Sequence, residues 1–256
     1  MISGLDFKNI CKWNLCNRYP INFIPTEVEE NDLVFLNLDN IYEFISFLKR
    51  NFLKKKFSLI THNSDLSFDE KMFNELNPYI NNFYCLNSLI SNQKVKKIPL
   101  GFIDNKLEII KNNSIIFNKE NLIYLNFHIP NHIDRKNCFD FFSDKNWCFI
   151  RNIQNERLPF QGYFNELNTF KYSLCPRGTG IDTHRIYESI FLNTIPIVNR
   201  NELSDLYEKL PVFLIDDWKE ITYDLLINNY KHLYNNIIKW KEENKNWIET
   251  DFWIKN

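Results

Sequence analysis

The sequence contains no alanine and only five glycines among its 256 residues. Arginine is far rarer than lysine, while asparagine, isoleucine, lysine and phenylalanine are abundant. An AT-rich genome that avoids GC-rich codons produces this skew, which describes a source and not an activity. Its use is indirect: where Gly, Arg and Pro persist against the bias, a structural or chemical need is the better explanation. No apolar run approaches the roughly 20 residues that span a bilayer, and the N-terminus lacks a basic-then-apolar leader pattern. The expectation is a cytoplasmic protein without a membrane span. A net charge of −1, with the basic residues scattered, argues against a nucleic-acid partner. The six cysteines (Cys11, Cys16, Cys85, Cys138, Cys148, Cys175) lie mostly in apolar runs, as buried free thiols do. They have no Cys or His partners at zinc-like spacing, so no metal site is expected, and a reducing compartment suits them.

At 44% hydrophobic and 25% charged, the composition is that of an ordinary globular protein, long enough for one large domain or two small ones. Residues 1–30 read as irregular, with Pro20 and Pro25. Strand and helix patterns then alternate. Strands are expected at 33–38, 57–61, 83–86 and 97–102, with helices at 41–53 and 69–76. After a polar stretch (106–121) the rhythm resumes. Strands fall at 122–127, 147–150, 172–175, 195–198 and 212–215. Helices fall at 133–143, 160–170, 183–192, 201–209 and from about 223 to the end. Short continuous apolar strands alternating with helices imply parallel sheets covered on both faces. Two such domains, residues 1–115 and 116–256 with closing C-terminal helices, would face a cleft, with ligands beyond the carboxyl ends of the strands.

Two of the five glycines fall within Cys175-Pro-Arg-Gly-Thr-Gly180. A strand ends just before this run and a helix starts just after it. Gly178 and Gly180 would let the backbone turn tightly and bring its N–H groups close to a ligand. Thr179 adds a hydroxyl, Asp182 or Thr183 can cap the helix, and a helix N-terminus beside a glycine turn favours phosphate. Arg177 and Arg185 supply forks for a diphosphate. Arg185 and Glu188 share a helix face, where Glu188 either accepts hydrogen bonds from ribose hydroxyls or merely pairs with Arg185. The plain alternative is a simple turn and a surface ion pair worth about 0.3–0.5 kcal/mol. The segment is neither a Walker loop nor a G-x-G-x-x-G fingerprint.

The order Leu174-Cys-Pro-Arg-Gly178, Arg185, Glu188, Ile195-Pro-Ile197 resembles the C-terminal signature of exostosin-like glycosyltransferases (family 47). Phe57 to Asp65, Asn87, Ile98-Pro-Leu-Gly-Phe102 and Leu125-Asn-Phe127 resemble other parts of small exostosin-like proteins. The resemblance covers most of residues 33–218. It implies a GT-B-like fold, two Rossmann-like domains with parallel sheets facing a cleft. It implies a nucleotide-sugar donor, usually UDP-linked, a glycan or protein-glycan acceptor, and inverting transfer. On this chain Arg177, Gly178, Thr179 and Gly180 would hold the diphosphate, Arg185 would neutralise the leaving phosphate, and Glu188 would bind the ribose. A non-catalytic nucleotide-sugar or glycan-binding protein would keep the same residues without a base.

Inverting transfer needs a base for the acceptor hydroxyl and a group to stabilise the departing diphosphate. No cofactor and no metal are expected for it. The strand at 57–61 runs into His62-Asn-Ser-Asp65, so Asp65 or His62 is the candidate base; alternatively His62 only holds the loop and Asn-Ser-Asp is turn chemistry. His184 either contacts phosphate or packs, and Arg151 is a further phosphate or base-edge candidate.

Overall fold

The computed structural model of the chain describes residues 1–16, 23–151 and 157–255; Pro20 lies outside them. Two compact units emerge. The first holds Met1–Gly101, Gly180–Asp182 and Trp247–Asn256; the second holds Phe102–Thr179 and Thr183–Asn246. The units part in sequence at Gly101/Phe102, ahead of the boundary expected after residue 115.

The first unit carries a five-stranded sheet in the order β1 (Trp13–Leu15), β2 (Leu33–Asn37), β3 (Phe57–His62), β4 (Ile80–Cys85), β5 (Val95–Lys97). Every pairing is parallel. β3 is central and buried along its whole length. Its side chains alternate between faces. Phe57 and Leu59 join a cluster with Phe44, Ile45 and Leu48 of helix Ile41–Arg50 and with Met72, Phe73 and Leu76 of helix Glu70–Leu76. His62 instead meets Phe7 of helix Gly4–Asn9, with ring centroids 5.3 Å apart. That helix and β1 lie in the stretch expected to be irregular. The helix start is written in the sequence as Ser3-x-x-Asp6: the Ser3 hydroxyl accepts from Asp6 N at 3.2 Å and caps it. The strand expected at 97–102 comes earlier, as β5. Pro99 has no N–H to donate, and Gly101 takes a left-handed φ of 68°.

The second unit carries β6 (Asn121–Leu125), β7 (Cys148–Ile150), β8 (Phe170–Leu174), β9 (Ile195–Asn199) and β10 (Phe213–Ile215), in the order β10-β9-β8-β6-β7. All of these pairings are parallel too. One face, with Ile123, Leu125, Tyr172, Leu174, Ile195 and Ile197, packs on helices Ile133–Phe142 and Tyr223–Glu243. On the other, Tyr124 stacks on Phe170 (4.7 Å) and on Tyr163 of helix Phe160–Leu167 (6.4 Å). The α/β architecture with two parallel sheets is therefore the one expected. The final helix, Thr250–Lys255, belongs to the first unit, where Trp253 Nε1 donates to Trp247 O at 2.7 Å. Among the described residues no helix is long and apolar enough to cross a membrane.

Candidate functional site

In an open parallel sheet the ligand crevice lies beyond the carboxyl ends of the strands, where the strand order reverses. In the second unit that point is between β6 and β8. β6 runs on into Asn126-Phe127-His128 and β8 into Cys175-Pro176-Arg177-Gly178. Arg135, from helix Ile133–Phe142, binds both continuations. Its Nε donates to Arg177 O (3.1 Å), its Nη1 to His128 O (3.2 Å), and its guanidinium lies 5.7 Å over the Phe127 ring. A Cβ on Gly178 would sit 2.6 Å from Arg135 Nη2. Gly178 does not have a positive φ. The residue is glycine so that a guanidinium can approach, not because the turn needs a left-handed residue. Asp134 secures the same loop: Oδ2 accepts from Arg177 N (3.2 Å), while Oδ1 accepts from Trp218 Nε1 (2.7 Å) and Asn199 Nδ2 (2.9 Å).

Helix His184–Phe191 starts beside this loop, with Thr183 as N-cap but no side-chain capping bond. Arg185 and Glu188 do not form the surface ion pair of the plain alternative. The Arg185 guanidinium lies 6.0 Å over Phe127 and 5.9 Å over Tyr163, and its Nε is buried without a hydrogen-bond partner. Glu188 is 2% exposed. Its Oε2 accepts from the Tyr163 hydroxyl at 2.6 Å, and its Oε1 is buried with no partner. Buried polar atoms are nearly always paired, and leaving one unpaired costs about 1–3 kcal/mol. The two atoms, one helical turn apart, leave a donor on Arg185 and an acceptor on Glu188 open side by side. Burial works against the Arg185 charge, but neighbouring Tyr163, Cys175 and Glu188 outweigh it and raise its pKa. Burial, reinforced by the Glu188 charge, holds the Tyr163 hydroxyl protonated far above its ordinary range.

The other candidates of this unit divide. Arg177 presents a buried, unpartnered Nε while its Nη1 reaches Glu202 at 3.4 Å. Thr179 is exposed and His184 half-buried. Arg151 is committed to Glu166, donating from Nε (3.1 Å) and pairing closely through Nη2. Glu166 also accepts from the Tyr124 hydroxyl at 2.5 Å, so Arg151 belongs to an internal network. Cys175 is 1% exposed, and burial pushes its thiol up to about 11.

Gly180, with Ile181 and Asp182, is held within the first unit. Asn87, 2% exposed, accepts from Ile181 N (3.1 Å) and Asp182 N (3.0 Å). Asp182 Oδ2 accepts from Leu100 N at 2.8 Å instead of capping the helix. A Cβ on Gly180 would lie 3.0 Å from Asp65 Oδ1. Asp65 is exposed; His62 is not, at 1%. His62 Nδ1 accepts from Asn63 N (2.9 Å), and Nε2 lies 3.1 Å from Pro99 O. With both ring nitrogens engaged and helix Gly4–Asn9 against the ring, His62 holds the loop and offers no nitrogen to an acceptor hydroxyl.

The second unit thus brings together Arg177, Gly178, Arg185 and Glu188, and the first brings Asp65 to Gly180. Sequence reasoning missed Asp134, Arg135 and Tyr163. Arg135 carried a usable signal, an arginine kept in an arginine-poor chain; Tyr163, one of 12 tyrosines, carried none.

No known family model matches the chain, and no curated protein matches its sequence. Among solved structures it is similar to an α1,3-fucosyltransferase at 14% identity, covering 88% of this chain and 70% of that one, with a TM-score of 0.45. It is similar to OtsA at 8% identity, covering 87% and 74%, with a TM-score of 0.47. A trehalose-6-phosphate synthase, described as transferring with retention, is 9% identical over 84% and 73%, with a TM-score of 0.46.

Proposed function

We propose that this chain is an exostosin-like, inverting glycosyltransferase that moves a sugar from a UDP-linked donor to a hydroxyl of a glycan acceptor without a bound metal. The observation that carries the reading is the pair of buried orphans, Arg185 Nε and Glu188 Oε1, on one turn of the helix that opens beside the switch point of the second sheet. Arg185 and Arg177 take the diphosphate, with the backbone at Gly178 and Thr179 beside them, and Glu188 takes the ribose. Asp65 takes the proton from the acceptor hydroxyl as its oxygen bonds to the sugar carbon; the bond from that carbon to the phosphate oxygen breaks, and the electron pair leaves with UDP. Arg185 stabilises the charge that develops there, a contribution on the order of 3 kcal/mol for one well-placed group.

UDP or GDP is expected to raise the melting temperature, and Arg185→Ala to abolish the rise. No shift with any nucleoside diphosphate at millimolar levels would sink the site. Incubation with a panel of nucleotide sugars should release nucleotide, and Asp65→Asn should slow that release while leaving donor binding intact. Binding with no release from any donor favours the non-catalytic nucleotide-sugar-binding reading instead.

A further inference from the structure

We infer that Tyr163 is a positioning residue that turns Glu188 toward the donor ribose and gives the site its preference for ribose hydroxyls. The inference rests on the donor-site reading above. Glu188 is enclosed, with 2% of its surface exposed, and is acceptor-only when ionised. Tyr163 occupies one carboxylate oxygen at 2.6 Å, and this fixes the plane of the group. The other oxygen is left buried and unpartnered. An acceptor held in one orientation without a donor selects a ligand that supplies one. A ribose hydroxyl does so, and a sugar lacking it leaves the buried oxygen unpaired, which is how a polar site rejects a deoxy analogue. The phenol keeps its proton because burial disfavours the phenolate and the neighbouring carboxylate adds to that.

The same side chain has a second contact that makes the role separable. Its ring lies under the Arg185 guanidinium, with the charge 5.9 Å from the centroid. Tyr163→Phe keeps that ring under the cation and removes only the hydroxyl that holds Glu188. The diphosphate contacts are therefore expected to survive while ribose recognition fails.

The test measures binding of UDP and GDP, each beside its 2′,3′-dideoxy form, and of inorganic pyrophosphate, to the wild-type chain, Tyr163→Phe, Glu188→Gln and the double variant. For the nucleotide that binds, the wild type should prefer the ribose form by about tenfold or more, the size expected of a hydrogen bond to a charged group. Tyr163→Phe should bring that ratio to within about threefold of one, with pyrophosphate affinity unchanged. In the Glu188→Gln background it should have no further effect, because the two residues act through each other. If Tyr163→Phe keeps the wild-type ratio while Glu188→Gln loses it, the positioning role is wrong and the donor site stands. If Tyr163→Phe weakens pyrophosphate binding as much as ribonucleotide binding, Tyr163 is a general structural support and the inference falls. If the wild type binds no nucleotide, or does not distinguish ribose from dideoxyribose, both readings fall together.

Discussion

Asp65 lies against Gly180: a Cβ placed on Gly180 would be 3.0 Å from Asp65 Oδ1 and also 3.0 Å from Asn87 Nδ2. Of these two neighbours only one can yield. Asn87 is buried and holds two backbone N–H groups, whereas Asp65 is exposed. Gly180→Ala should therefore push the Asp65 carboxylate aside and leave the chain folded. Turnover should fall by about 10–100-fold, the scale of a 1 Å misplacement at a reacting group, with UDP affinity within about twofold of wild type. A kcat that survives the substitution would remove Asp65 as the base.

His62 should behave in the opposite way. Its ring is enclosed against Phe7, and both nitrogens have partners. His62→Phe keeps the bulk and loses the bonds to Asn63 and Pro99, at about 1–3 kcal/mol of stability. Denaturant melts should show that loss, while the folded fraction keeps measurable turnover, because the lost bonds loosen the loop without removing the proton acceptor. A stable His62→Phe chain with no activity would reinstate His62 as the base.

The contrast between these two residues shows what the sequence could carry. The parallel-sheet architecture was legible because β2, β6 and β9 carry short apolar runs (Leu33–Leu36, Leu122–Leu125, Ile195–Val198) between helix patterns. The carboxyl ends of the strands were then legible as site positions, which is how Asp65, Arg177 and Arg185 came into view. Burial at those ends was not legible. His62 reads as an open strand end until helix Gly4–Asn9, more than 50 residues away in sequence, is placed over it. Arg151, at the end of β7, reads as a free cation until Glu166 reaches it from helix Phe160–Leu167. In both cases the deciding neighbour comes from a different element, and local periodicity holds no record of it. The two signature glycines were legible as necessary, but for a different reason: each makes room for side chains that come from elsewhere in the chain.

That reason can be tested at Gly178. A methyl there meets Arg135 Nη2 at 2.6 Å, and Arg135 cannot swing away without releasing the carbonyls of Arg177 and His128. Gly178→Ala should cost about 1–3 kcal/mol, the usual price of overpacking, and should weaken UDP binding. In an Arg135→Ala background the obstacle is gone, and the same substitution should cost less than about 0.5 kcal/mol. Strict additivity of the two stability changes would contradict the clash.

Asp134 should be the most sensitive of the residues that hold the loop. It is acceptor to the Arg177 amide, the Asn199 side chain and the Trp218 indole at once. Trp218 is 3% exposed, so Asp134→Ala leaves its N–H buried without a partner. Unfolding should be easier by about 1–3 kcal/mol, and UDP affinity should fall as the Arg177 segment loosens. Calorimetry and titration on the same preparation read both effects, and a loss of stability without a loss of affinity would detach Asp134 from the site.

Two lysines, Lys119 buried and Lys241 half-buried, tie down the far ends of the site helices, and they make stability respond to pH. Lys119 Nζ donates to Asn168 O (2.6 Å) at the end of helix Phe160–Leu167. Lys241 Nζ donates to Phe191 O (2.9 Å) and Asn193 Oδ1 (2.7 Å) at the end of helix His184–Phe191. Cations are favoured at helix C-termini, yet burial, then the neighbouring Lys241 charge, brings Lys119 down to about 7. The unfolded chain keeps this proton to about pH 10.4. Between about pH 7 and that value the unfolded state binds more protons, so the Lys119 contribution to stability rises with pH; below about 7 both states are protonated and it is flat. Cysteines oppose the trend from about pH 8.5, the ordinary thiol value. Burial holds Cys11, Cys85 and Cys148 up to about 12, and their protons are lost only on unfolding. The lysine effect is therefore read as a difference between chains. Lys119→Met removes the titrating group and leaves the thiols, so its melting temperature relative to wild type should be most favourable near pH 6 and decline steadily to pH 9. A gap that is constant over that range would mean that Lys119 stays charged throughout, with the Asn168 carbonyl compensating for its burial.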